Sequence, residues 1–178
     1  MNDCTVQYQI LVVDIQKNFQ KHIDEYENVI EITHNLLTAA QLLDIPTIMF
    51  EQYPKGLGHT DERLTSFPSN IIEKTTFSAF KTNKLAVKDD CHPPSIKVIV
   101  GLETHICVYQ TAQDLLKQGH TVYILADGVC SRNSQHKSWA LEQLRYDGAK
   151  VICLETFLFE ALADAKHPQF KQVSKLIQ

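Results

Sequence analysis

Long apolar runs are missing from this chain of 178 residues. Stretches such as Ile10 to Val13 and Val98 to Val100 fall far short of the roughly 18 residues that a membrane helix needs. The first cation is Lys17, so no basic segment precedes an apolar one. A soluble cytoplasmic protein without membrane partners is expected. Basic clusters are missing too: Lys and Arg number 17 against 21 Asp and Glu, for a formal net charge of −4. Phosphate backbones are bound mainly through clustered cations, so nucleic acid is not an expected partner. The five cysteines, Cys4, Cys91, Cys107, Cys130 and Cys153, are odd in number and contain no Cys-x-x-Cys pair, which argues against a disulfide framework or a zinc site. Glycine is scarce, at six residues. The first candidate turn, Asp14 to Phe19, has none of the glycines that a dinucleotide pyrophosphate requires.

What is present is an alternation of β-branched apolar runs with helical patterns, the mark of βα repeats and a parallel sheet. The runs are Tyr8 to Val13, Thr47 to Phe50, Ile71 and Ile72 ending at Lys74, Lys97 to Val100, Thr121 to Ala126, and Val151 with Ile152. Between them lie amphipathic stretches at Val29 to Leu43, at Val108 to Leu116, with Gly119 as its expected left-handed end, and around Trp139, Ala140, Leu144 and Gly148. Two short helical segments follow, with Phe157, Phe159 and Leu162, then Phe170, Val173 and Leu176. Residues 51–70 hold Pro54, Gly56, Gly58 and Pro68 and read as a long loop forming one wall of a site. No repeat or linker divides the chain. A single α/β domain over residues 1–178 is expected: a three-layer, doubly wound sandwich whose six parallel strands run in the order 3-2-1-4-5-6.

Ligands of such sheets bind outside the carboxyl ends of the strands, most often where the strand order reverses. Asp14 closes the first strand, Lys74 closes the third, and Cys107 opens the helix after the fourth. A cysteine at a helix N-terminus beside an ammonium is expected to ionise below about 8.5 and to act as a nucleophile. The carboxylate could move protons, and backbone N–H groups in the turn Gly101 to Cys107 could hold an oxyanion. The plainer alternatives are a packed core cysteine, a capping Asp and a solvated Lys. Cys4, Cys91, Cys130 and Cys153 are assigned to core packing.

Three segments carry a resemblance: Leu11-Val-Val-Asp14-Ile-Gln16-Lys-Asn-Phe19, Glu73-Lys74-Thr-Thr-Phe77-Ser78-Ala-Phe80, and Gly101-Leu-Glu-Thr104-His105-Ile-Cys107-Val108-Tyr-Gln-Thr111-Ala112. From about Gln9 to Ala161 the chain resembles the isochorismatase-like cysteine hydrolases. Residues 51–58 and 164–171 look most like the isochorismatase-domain-containing subgroup. The resemblance implies a catalytic triad of Asp14, Lys74 and Cys107, acting on a small amide or carbamoyl C–N bond through a thioester. It also implies a cis peptide before Glu103, an oxyanion hole from the Glu103 and Cys107 N–H groups, and assembly into a homo-oligomer. Gln16, Phe19, Phe77 and His105 are the expected substrate contacts, with core packing as the alternative for both phenylalanines and for His105. The metal-binding Asp-x-His of nicotinamidases has no counterpart in Phe50 to His59, where only His59 survives. Neither metal nor cofactor is expected. The rival reading is an inactive binding module of the same fold.

Overall fold

The computed structural model describes residues 7–82 and 95–178, so Cys4 and Cys91 lie outside the described residues. Six strands, β1 (Tyr8–Val13), β2 (Thr47–Gln52), β3 (Asn70–Lys74), β4 (Ile96–Leu102), β5 (Val122–Cys130) and β6 (Lys150–Ile152), form one sheet. Its order is β3-β2-β1-β4-β5-β6 with every neighbouring pair parallel, as the sequence predicts. The order reverses between β1 and β4.

Alternation along β1 separates the two faces. Ile10 and Val12 pack with Val29, Leu36 and Leu37 of α1 (Tyr26–Leu42), and with the Leu154, Phe157 and Leu158 side chains that a later helix supplies. Leu11 and Val13 pack on the other face with Ala112, Leu115, Leu141 and Leu144. Each such side chain contributes about 1.5–3 kcal/mol when fully buried. The remaining helices are α2 (Pro54–Leu57), α3 (Tyr109–Lys117), α4 (Ser134–Tyr146), α5 (Leu154–Leu162) and α6 (Phe170–Val173). Helices therefore cover both faces of the sheet. None of the described helices is long and apolar enough to cross a membrane.

The helix ends follow local chemistry. The α4 cap is Asn133, whose side chain accepts from the Gln135 N–H. Gly119, with φ of +81°, follows α3, where the N–H groups of Gly119 and His120 return to the carbonyls of Leu116 and Leu115.

Two expectations are corrected. The fifth strand does not close at Asp127 but continues to Cys130. A register shift between Ile99 and Gly101 of β4 lets β5 continue past the Asp, and the Asp127 carboxylate leaves the strand to accept the Leu154 N–H at the start of α5. The second strand likewise runs to Gln52 rather than Phe50, and the following stretch contains α2 and a bridge from Thr60 back to Gln16.

Candidate active site

Asp14, the residue after β1, has a left-handed backbone (φ of 54°), and its N–H continues the ladder to the Phe50 carbonyl. Lys74 ends β3, two strands away. Its Nζ donates to Asp14 Oδ2 at 2.6 Å. Both side chains are buried. Nζ also donates to Gln52 Oε1 at 2.6 Å, to the Phe77 carbonyl at 3.1 Å and to the Thr76 carbonyl at 3.3 Å.

Cys107 sits in one wide helical turn of π type, Thr104–Val108, directly ahead of α3. The N–H groups of Ile106 and Val108 both donate to the Glu103 carbonyl. Thr111 Oγ1 donates to the Cys107 carbonyl at 2.7 Å and accepts from the Ala79 N–H at 2.9 Å, which ties this turn to the segment following Lys74. The Leu102–Glu103 peptide is cis, as the resemblance implies. Gly101 pairs with Val13 across β4 and β1, and a Cβ there would stand 1.9 Å from the Val13 carbonyl oxygen.

The electrostatics correct one expectation. Burial pushes the Asp14 carboxyl up to about 6, against the pull of Lys74 and of the adjacent Cys107 thiol. Burial and the neighbouring Asp14 charge push the Cys107 thiol upward as well, and outweigh Lys74. Cys107 is therefore held as a thiol at neutral pH, not as the pre-formed thiolate that its place ahead of a helix predicts. Among the described residues, none donates a hydrogen bond to the buried Asp14 Oδ1, so this carboxylate can take a proton from a neighbour.

The expected substrate contacts separate. Phe19 lines a cavity of about 430 Å³ with Asn18, Lys21, Leu57, Glu103 and Arg132. Gln16 is fully buried, and its amide is committed to backbone: Nε2 donates to the carbonyls of Gln52 and Gly58, and Oε1 accepts the Gln52 N–H at 2.8 Å. It clamps the wall instead of facing a ligand. Phe77 is 53% exposed, so it is not a core residue, and its carbonyl serves Lys74. His105 turns toward α4, with Nδ1 2.9 Å from Ser131 Oγ and its ring 4.9 Å from that of His136. Of the cysteines assigned to the core, Cys130 is buried, but Cys153 is exposed at the start of α5.

Sequence reasoning missed Gln52 and Arg132. Gln52 is the register partner of Lys74 in the β2–β3 pair, a signal that strand lengths alone do not give. Arg132 donates to Glu103 Oε1 through its backbone N–H at 3.1 Å and its Nε at 3.2 Å. Glu51 gives one carboxylate oxygen to the Thr60 N–H and hydroxyl and the other to His59, so these two residues are paired with each other. Among the described residues no group of three or more His, Cys, Asp or Glu is placed to share a metal ion.

An open, doubly wound parallel sheet, with a buried carboxylate, an ammonium and a thiol near the point where its strand order reverses, defines the class: a doubly wound α/β protein. The isochorismatase domain model matches residues 8–156, and the chain belongs to the isochorismatase-like hydrolase family. It is 36% identical over 175 residues to isochorismatase family protein 1A of Dictyostelium discoideum, covering 95% of this chain and 85% of that one. It is also 36% identical over 168 residues to isochorismatase domain-containing protein 2 of Danio rerio, covering 94% and 85%. Among solved structures it resembles one described as the MAR1 ribonuclease of Caenorhabditis elegans, with a TM-score of 0.90, 35% identity and coverage of 97% of this chain and 90% of that one.

Proposed function

We propose that the chain is a cysteine-dependent hydrolase of a small amide or carbamoyl C–N bond. The observation that carries this reading is the buried Lys74–Asp14 pair at 2.6 Å with the Cys107 thiol beside the same carboxyl. Asp14 accepts the thiol proton as Sγ attacks the carbonyl carbon, and the carbonyl oxygen takes up negative charge. The N–H groups of Glu103 and Cys107 are the proposed donors to that oxygen. Protonated Asp14 then gives its proton to the nitrogen as the C–N bond breaks, leaving a thioester. Asp14 next takes a proton from water, hydroxide adds to the thioester, and the acid leaves as Sγ regains the proton. Lys74 holds the carboxylate in place and offsets the charge that develops on sulfur.

The cavity beside Phe19 is the proposed substrate pocket. Its lining includes Ile23 and Leu57 together with Lys21 and the paired Arg132 and Glu103, which suits a short substrate with one apolar and one polar end. The test is a panel of small amides, ureas and carbamoyl compounds, each in neutral and carboxylate-bearing form, against the wild type and Cys107→Ala. Turnover of at least one compound is expected, with loss of about 10³-fold or more in the variant. Activity that survives the substitution would remove the nucleophile from the scheme.

A second reading comes from the C. elegans relative, which is described as a ribonuclease. Single-stranded RNA therefore belongs in the same panel. The chain's net charge of −4 and the buried position of Asp14, Lys74 and Cys107 favour a small substrate over a phosphate backbone. RNA cleavage that disappears with Cys107→Ala would reverse that preference.

A further inference from the structure

Gln52 is held from three directions. Its Oε1 accepts from Lys74 Nζ at 2.6 Å, and its Nε2 donates to the Thr75 carbonyl at 2.9 Å. The second bond fixes which end of the amide faces the ammonium, because only the oxygen can accept from Nζ. Its backbone is gripped on both sides by one side chain, Gln16, which accepts its N–H and donates to its carbonyl. Gln16 stands two residues after Asp14, and Gln52 is in register with Lys74. Two glutamines thus connect the ends of β1, β2 and β3 at the point where the acid and the ammonium meet.

We infer that Gln52 is a positioning residue, which aims the Lys74 ammonium at Asp14 through a neutral acceptor and so leaves Asp14, among the described residues, the single carboxylate bonded to that ammonium. This rests on the reading of Asp14, Lys74 and Cys107 given above. An ammonium has three protons. One goes to Asp14 and one to the amide oxygen of Gln52, while the Phe77 and Thr76 carbonyls share the third. Without the amide oxygen the ammonium has no fixed second anchor on the β2 side. With a carboxylate in its place, Lys74 would be divided between two anions and Asp14 would hold its proton to higher pH. The titratable groups facing Asp14 are Lys74 from β3, Cys107 from the turn before α3, and Glu51 from β2. Of these, Glu51 is already engaged by Thr60 and His59. A neutral change at position 52 therefore acts on Asp14 through Lys74, whereas a carboxylate there also acts on Asp14 directly by like-charge repulsion.

The measurement is the rate of Cys107 alkylation by chloroacetamide between pH 4.5 and 9, read by peptide-resolved mass spectrometry so that exposed Cys153 is counted separately. In this reaction Asp14 takes the thiol proton while sulfur displaces chloride. The wild type should show a rise with an inflection near 6, as the buried carboxyl ionises, and Asp14→Asn should abolish it. Gln52→Glu should move the inflection up by about one pH unit. Gln52→Leu should lower the plateau rate about tenfold or more, the scale of one hydrogen bond to a charged group. A merely structural role would lower the melting temperature of Gln52→Leu and leave its plateau rate in place. Wild-type inflection and plateau in both Gln52 variants would overturn the inference while leaving Asp14 as the base. A wild-type profile in Asp14→Asn would overturn the reading of the site and the inference with it. Should Gln52→Leu fail to fold, Gln52→Met, which keeps the side-chain length and removes the amide acceptor without adding charge, decides by its plateau rate.

Discussion

Asp14 is the residue whose chemistry depends most on where the chain places it. An aspartate after a strand is ordinary, but this one is buried against an ammonium and a thiol, and burial raises its carboxyl to about 6. Relative to an unfolded aspartate at about 3.9, the folded state holds the extra proton between the two values, so stability falls as pH rises through that window. The loss is on the order of 3 kcal/mol and is complete above about pH 7. Urea unfolding of the wild type and Asp14→Asn should show their stability difference drifting against the wild type from pH 4 to 7 and flattening beyond. A constant difference would mean that Asp14 titrates as it does in the unfolded chain. The same residue shows what the sequence could and could not disclose. Position and residue type brought Asp14, Lys74 and Cys107 to one edge before any coordinates. The upward shift of the Cys107 thiol does not follow from the sequence, because a helix N-terminus can be read from it and the depth of burial around it cannot.

At the scale of elements, the stretch that reads as a loop, residues 51–70, is a tied wall. Its anchors are Gln16 to Gln52, Thr60 to Glu51, and a cluster around Asp61. Asp61 accepts from the buried Tyr26 hydroxyl at 3.1 Å and from Arg63 Nε at 2.8 Å and Nη2 at 2.9 Å. Arg63 holds the Asp61 carboxyl down at about 2, against the effect of burial. That folded value is depressed, so its stabilisation is present above about pH 4 and is lost as pH falls toward 2. Asp61→Ala leaves the Tyr26 hydroxyl without this partner and should cost about 2 kcal/mol at pH 7, or about 4–8 °C in melting temperature. The deficit should shrink in acid, and a pH-independent deficit would assign the effect to packing alone. None of these ties was legible beforehand. Asp61, Arg63 and Tyr26 have no shared periodicity, and a polar residue in a Gly- and Pro-containing segment reads as solvated until its partner, supplied here by α1, is known.

For the molecule as a whole, β-branched runs and amphipathic spacing sufficed for strand number and both helical layers, since period-2 and period-3.6 patterns report which faces are covered, and the strand order came from the doubly wound class that they indicate. They failed at strand ends, where Asp127 leaves β5 without ending it. The helix expected around Trp139 is α4, with Trp139 itself 58% exposed beside His136.

The sheet also fixes a length that no side chain sets. Where β1 and β4 run side by side at the reversal of order, Gly101 leaves so little room that a single added carbon would overlap the Val13 carbonyl, one residue before Asp14. Its φ of +131° excludes L side chains independently of the space. Gly101→Ala should therefore wedge the proton acceptor away from the turn that carries the nucleophile. Alkylation of Cys107 should slow about 10²-fold, the scale of an ångström of misplacement, and a wild-type rate would show that the gap can stretch. The missing methyl works as a spacer of zero width: the reach between base and sulfur is calibrated by an atom that the chain leaves out.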